Sequence, residues 1–222
     1  MGSAQATLFA GARVGFDAAL RNLRRIELDA AAWVDHAPGW LDGHDEVFEA
    51  LREGLTWRSG ERTMYDRVVA VPRLFARVPE DGAGHRILGE LAQVLGERYG
   101  APFPFVSCNL YRDGTDSVAP HADHLPAENR LDPLAIVSVG EPRPFVLRPK
   151  AAAAKSGARS RTFQLGWGDL LVLGGTAHVD WLHAVPKVAR AGARISIMFR
   201  RGYEADGDRG AALGSIGSRE SL

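Results

Sequence analysis

The segment 109–123, NLYRDGTDSVAPHAD, gathers the side chains best able to do chemistry. On an extended strand residues two apart share a face, so Asn109 and Tyr111 point one way while Cys108 and Leu110 point the other. Arg112, Asp113 and Gly114 break that strand, and His121 and Asp123 again stand at i, i+2. An imidazole and a carboxylate projecting together are two of the three ligands of a facial metal site. The tripeptide His-x-Asp is common by chance, and a histidine near a strand end is more often simply hydrogen-bonded, so a third ligand is required. His183, in DWLHAVPK, opens an expected strand that Pro186 ends. The competing ligand is His178, five residues earlier and on the opposite face if the segment is one strand. Two imidazoles and one carboxylate, with no thiolate, favour iron(II) with open positions over structural zinc.

A second pattern lies in ARISIMFR, residues 193–200. Alternation puts Arg194, Ser196, Met198 and Arg200 on one face and Ile195, Ile197 and Phe199 on the other. A strand so apolar on one side, late in a β fold, is expected to be covered on both. Buried guanidiniums need anionic partners, and a dicarboxylate chelating the metal would supply them.

These groups need a scaffold. After Pro102 and Pro104 come short runs rich in β-branched and aromatic residues (FVSCNLYR, LAIVSVG, PFVLRP, RTFQLG, DLLVLGG, DWLHAVP), separated by glycine and proline. That spacing reads as a sandwich or barrel. The expected architecture is α+β, mainly β: a double-stranded β-helix (jelly roll) over 105–201 on an N-terminal α/β support. Upstream, Asp42 is placed to cap a helix through GHDEVFEALREGL, and residues 85–99 set Ile87, Leu88, Leu91, Val94 and Leu95 at helical spacing. Residues 150–161 read as a short helix or a hairpin loop. The expected organisation is an extension over 1–26, one catalytic domain over 27–201, and a disordered tail over 202–222, where almost nothing is apolar.

Composition narrows the classes. With 222 residues, 45% hydrophobic and 24% charged, the chain suits one globular domain. No apolar run is long enough to span a membrane, and the opening MGSAQATLFAGARVGF lacks the basic n-region of a secretory signal. The single cysteine, Cys108, excludes an intrachain disulfide and a multi-cysteine metal site. A cytoplasmic monomer is expected. The balance of 27 basic and 27 acidic residues removes any bulk-charge case for nucleic acid, so a basic face would have to be local.

The ordered motifs NLYRDG, HAD, LAIVSVGEPRPFVLRPK, GDLLVLGG, DWLHAVPK and ARISIMFR resemble the AlkB family of iron(II)- and 2-oxoglutarate-dependent dioxygenases, over about 62–201. The resemblance implies Fe(II) on His121, Asp123 and His183, with 2-oxoglutarate and O2 as cosubstrates. It makes Asn109 and Tyr111 hydrogen-bond donors to 2-oxoglutarate, and Arg194 and Arg200 its carboxylate partners. Ser196 stands where family members often carry asparagine, and Met198 where threonine is common. The implied reaction is hydroxylation of an N-alkyl carbon on a base, with loss of formaldehyde. RTMYDRVVAVPRL and the residues just after it, 62–77, resemble the nucleotide-recognition segment of AlkB-type DNA repair enzymes. There Tyr65 would stack on the flipped base, with Arg67 and Arg73 among the arginines facing the substrate. His124 follows the metal motif where relatives carry an acidic base-edge contact. Alkylated DNA is the expected partner and RNA the alternative. Two other readings stand beside this one: an oxygenase acting on RNA, protein or a small molecule, and a catalytically silent β-barrel binding module.

Overall fold

The computed structural model describes residues 14–64, 67–79, 86–155 and 157–201, with backbone alone at 61–64 and 67–71. The strands are β1 (Gly15–Phe16), β2 (Arg24–Glu27), β3 (Ala32–Ala37), β4 (Leu41–Asp42), β5 (Arg58–Met64), β6 (Arg67–Arg77), β7 (Phe105–Tyr111), β8 (Val118–His121), β9 (Leu134–Gly140), β10 (Arg143–Pro149), β11 (Arg161–Leu165), β12 (Asp169–Gly175), β13 (Trp181–Val185) and β14 (Arg194–Arg200). The helices are α1 (His44–Gly54), α2 (Ile87–Tyr99), α3 (Ala151–Lys155) and α4 (Ala177–Asp180). A large antiparallel sheet runs β2-β3-β12-β9-β14-β7-β6-β5, and a small one runs β11-β10-β13-β8.

The large sheet is covered on both faces, and strict alternation sorts its residues. Ile195, Ile197 and Phe199 of β14, Cys108 and Leu110 of β7, and Val137 and Val139 of β9 pack with Val47, Phe48 and Leu51 of α1 and Leu88, Leu91 and Leu95 of α2. The opposite face contributes Tyr111, Ile136, Leu171, Leu173 and Met198, which meet Phe145, Leu147, Leu165, Trp181 and Val185 of the small sheet. The expected jelly roll is therefore present, with helices behind one sheet and the second sheet in front.

Several sequence expectations change in detail. Asp42 does not cap α1: it belongs to β4, and Gly43 takes the N-cap position at φ 68 with no side-chain cap bond. Only a residue that tolerates left-handed backbone makes so abrupt a strand-to-helix turn. Residues 24–37 form the hairpin of β2 and β3 at one edge of the large sheet, so ordered sheet begins upstream of 27. Residues 150–161 form the short helix α3 and a following loop. The tail 202–222 lies outside the described residues.

Arg143, which no pattern of residue types singles out, is fully buried at the start of β10. Its guanidinium donates to the carbonyls of Asp113 at 2.7 Å, Asp116 at 2.8 Å and Pro186 at 2.9 Å, tying the loop after β7 to the loop after β13. Arg143→Met keeps the apolar stem but strands several buried acceptors, each worth about 1–3 kcal/mol when unsatisfied. A total loss of about 3 kcal/mol is expected, lowering the calorimetric melting temperature by about 6–12 °C. A shift under 2 °C would show that water replaces the guanidinium at no cost.

Candidate active site

One wall of the site is the small sheet. His121 at the end of β8 pairs directly with His183 on β13, which brings the two rings to a centroid separation of 4.2 Å. Asp123 lies two residues past the end of β8, so a shared strand face does not hold it as the i, i+2 spacing suggested. Its backbone N–H instead donates to the His178 carbonyl at 2.8 Å, which draws the loop against α4. One ligand atom each from His121, Asp123 and His183 lie within 4.8 Å of one another, a grouping able to hold a metal ion.

Protonation favours that use. His121 Nδ1 sits 3.0 Å from the Ala119 carbonyl, which can only accept, so Nδ1 carries the proton and Nε2 keeps a lone pair. Burial lowers the proton affinity of both imidazoles, and His183 falls to about 3 even though Asp123 opposes the shift. Asp123 is itself desolvated, which raises its pKa, but the His178 contact and the charges of His183 and Arg200 outweigh that and hold it well below the usual carboxylate range. Two neutral imidazoles and an ionised carboxylate are the state a divalent cation binds.

The facing wall is the large sheet, laid out in cross-strand rows. Tyr111 pairs with Arg194, Asn109 with Ser196, and Ser107 with Met198, all on the buried inner face. Ser138 continues the Asn109–Ser196 row, and Ile136 the next. Arg194 is 1% exposed; its Nη2 donates to Ser138 Oγ at 2.6 Å, while Nε and Nη1 find no partner among the described residues. Burial brings its pKa down to about 10, so it stays charged at neutral pH. Arg200 reaches Ser107 Oγ at 3.3 Å and Met198 Sδ at 3.8 Å. A cavity with an empty volume of about 600 Å³, mouth included, runs between the walls and is lined by the three metal-competent residues and by Asn109, Tyr111, Ser196, Met198 and Arg200. A cavity that sets the Arg200 guanidinium beside a chelating group suits an anion that also binds the metal.

The other expected residues fall in different places. Arg73 lines this cavity, its Nε donating to Asn109 Oδ1 at 3.0 Å. His124 is exposed and outside the cavity lining. Tyr65 and the Arg67 side chain lie outside the described residues. His178 is buried behind Asp123 on α4, not on the strand that carries His183. Sequence reasoning passed over Ser138 and Phe145; inward parity on β9 would have found the first, whereas the second, stacked at 6.1 Å on the His183 ring, looks like any core aromatic.

The buried histidines make a pH prediction. The unfolded chain protonates a histidine near its ordinary value of about 6.5, whereas His183 in the folded protein stays neutral down to about 3. Through that window the unfolded state holds more protons, so the stability of the metal-free protein falls as pH falls. The contribution of Asp123 is lost only at lower pH, below the ordinary carboxylate value. The urea midpoint of metal-free protein should drop between pH 7 and pH 5, and less in His183→Asn. An equal drop in both proteins would clear His183 as the titrating group.

Comparison with known proteins agrees with this geometry. The family model described as the 2OG-Fe(II) oxygenase superfamily matches residues 44–200. The alpha-ketoglutarate-dependent dioxygenase alkB homolog 3 of Bos taurus is 31% identical over 185 residues, covering 75% of this chain and 65% of that protein. The chain thus spans just under two thirds of the length of that relative. The DNA oxidative demethylase ALKBH2 of Mus musculus is 33% identical over 177 residues, 71% of this chain and 74% of that protein. Among solved structures, OsALKBH1 superposes with a TM-score of 0.54 at 15% identity, over 81% of this chain and 100% of the other, a likeness of fold. With a jelly roll, a His-Asp-His group and a cationic floor in one cavity, the chain belongs to the 2OG-Fe(II) oxygenase superfamily, among its AlkB-like members.

Proposed function

We propose that this chain oxidatively dealkylates N-alkylated bases in DNA, as a cytoplasmic monomer acting in alkylation repair. The observation that carries the reading is one cavity whose lining holds the metal-competent group together with Arg200, Asn109, Tyr111 and Ser196, with Arg194 buried against the Tyr111 ring. His121, Asp123 and His183 would hold iron(II). Arg194 and Ser138 would bind one carboxylate of 2-oxoglutarate, and Arg200, Asn109, Tyr111 and Ser196 its remaining oxygens. Bound iron(II), 2-oxoglutarate and O2 supply hydroxylation of a carbon attached to nitrogen, together with succinate and CO2. The residues themselves bind, orient and keep water out: Leu134, Ile136, Phe145 and Val185 provide the apolar part of the lining.

A nucleic-acid substrate is supported by the names of the relatives, one a DNA oxidative demethylase. It is also supported by the run of β6, which carries the recognition-like segment to the cavity through Arg73. On this reading Tyr65 stacks on the extruded base, and Arg67 and His124 flank it. Arg73 serves the same face from inside.

Two outcomes test the halves of this reading separately. Arg194→Met should weaken 2-oxoglutarate binding about 10–100-fold, the worth of about 1.5–3 kcal/mol for a charged hydrogen bond, read as the charge-transfer absorbance of an anaerobic iron(II) titration. An unchanged affinity removes Arg194 from the cosubstrate site. Tyr65→Ala should lower turnover of methylated DNA about 10–100-fold, the equivalent of about 1–3 kcal/mol of stacking, while Tyr65→Phe keeps most of it and turnover of 2-oxoglutarate without DNA survives in both. Comparing methylated DNA, methylated RNA and free nucleosides then decides the substrate; a clear preference for RNA or nucleosides overturns the DNA assignment.

A further inference from the structure

His178 is a fully buried histidine that neither the metal group nor the cosubstrate site uses. We infer that it is a positioning residue: it holds Asp123 Oδ2, so that Oδ1 alone is turned toward the metal. The inference rests on the reading of His121, Asp123 and His183 as metal ligands.

The need for such a residue follows from where Asp123 lies. His121 and His183 are fixed by a strand pair, but Asp123 sits in irregular chain after β8, where no ladder bond orients its side chain. What holds it comes from α4. The Asp123 N–H donates to the His178 carbonyl at 2.8 Å, and His178 Nδ1 lies 3.4 Å from Asp123 Oδ2. The second separation is at the long end for a hydrogen bond. Since an ionised carboxylate can only accept, the shared proton belongs to Nδ1. The other ring nitrogen, Nε2, is buried and has no partner among the described residues. Leucine would fill the volume without an orphaned polar atom, so the imidazole is explained by what Nδ1 does. The other carboxylate oxygen, Oδ1, is the one near His183 Nε2, at 3.7 Å.

α4 is anchored firmly enough to act as a reference. Lys150 Nζ donates to the Val179 carbonyl at 2.5 Å, and Arg130 pairs with Asp180 at 2.8 Å. The residues just after His178 are therefore tied to the end of β10 and to the loop before β9, and Asp123 is held by His178 through both its backbone and its carboxylate.

The test uses three variants. His178→Asn puts an amide N–H close to where Nδ1 was, His178→Gln puts it near Nε2 instead, and His178→Leu removes it. Manganese(II) affinity, followed by the loss of its free-ion magnetic resonance signal, should fall about 10–100-fold for the Leu and Gln variants. It should stay within about threefold for Asn. Affinity for 2-oxoglutarate at saturating metal should be unchanged in all three, which separates metal positioning from damage to the cavity. Should Leu fail to fold, the Asn and Gln pair still decides the matter. Wild-type metal affinity in folded Gln or Leu overturns the inference, as does an Asn variant as weak as Gln. If instead Asp123→Asn or His183→Ala leaves manganese binding intact, the ligand assignment itself fails, whatever His178 does.

Discussion

The structure turns on burying both faces of β14. One face carries Ile195, Ile197 and Phe199 against the helices; the other carries Arg194, Ser196, Met198 and Arg200, all buried against the small sheet. A charged group taken from water costs several kcal/mol unless matched, so a central strand with two inward arginines constrains everything opposite it. Neighbouring strands answer with small polar groups in the adjacent rows, Ser138 for Arg194 and Ser107 for Arg200. These serines do not neutralise charge. That falls to Asp123 across the cavity and to an anionic ligand.

Register converts this constraint into a site. Because the side-chain period of a strand is two, a one-residue slip of β7 against β14 would send Asn109 and Tyr111 into the helix-facing core and bring Cys108 and Leu110 inward. Helices α1 and α2 thus do more than stabilise: by demanding an apolar face they lock the polar face toward the metal wall. Gly140, at φ 82 beside the start of β14, allows the tight turn there, since a Cβ would lie 2.5 Å from the Ala193 carbonyl oxygen. The pairing of His121 with His183 obeys the same logic on the small sheet.

Legibility in the sequence followed this division. Residues whose placement depends on strand parity were readable from alternation, including the common face of Arg194 and Arg200 and that of Asn109 and Tyr111. The metal-competent group was found by residue type and spacing, yet the reasoning behind one member differed from the physical cause: Asp123 reaches the group through α4, and no periodic signal marks a four-residue helix. His178 illustrates the same limit. Treated as part of a strand it could only be a ligand or point away; on a short helix it can stand behind a ligand. Arg143 was illegible because its partners are backbone carbonyls, which every residue carries. The segment 62–77 places Arg73 among substrate-facing arginines, and only the adjacency of β6 and β7 reveals that it bonds Asn109.

These inward polar groups also carry a cost. The unmatched Nε and Nη1 of Arg194 and the partnerless buried Nδ1 of His183 among the described residues are each an unfavourable contribution to folding. So is keeping His183 neutral at acid pH. The hydrophobic clusters on either side of the large sheet must outweigh these terms, which is why the apolar faces of β9, β12 and β14 are so complete. A ligand that matches the donors recovers that free energy only in the folded state, so binding and folding are linked and occupancy raises stability by RT ln(1 + [L]/Kd). The same preorganisation that costs stability leaves little reorganisation to be done on binding, and a site of this kind trades stability for readiness.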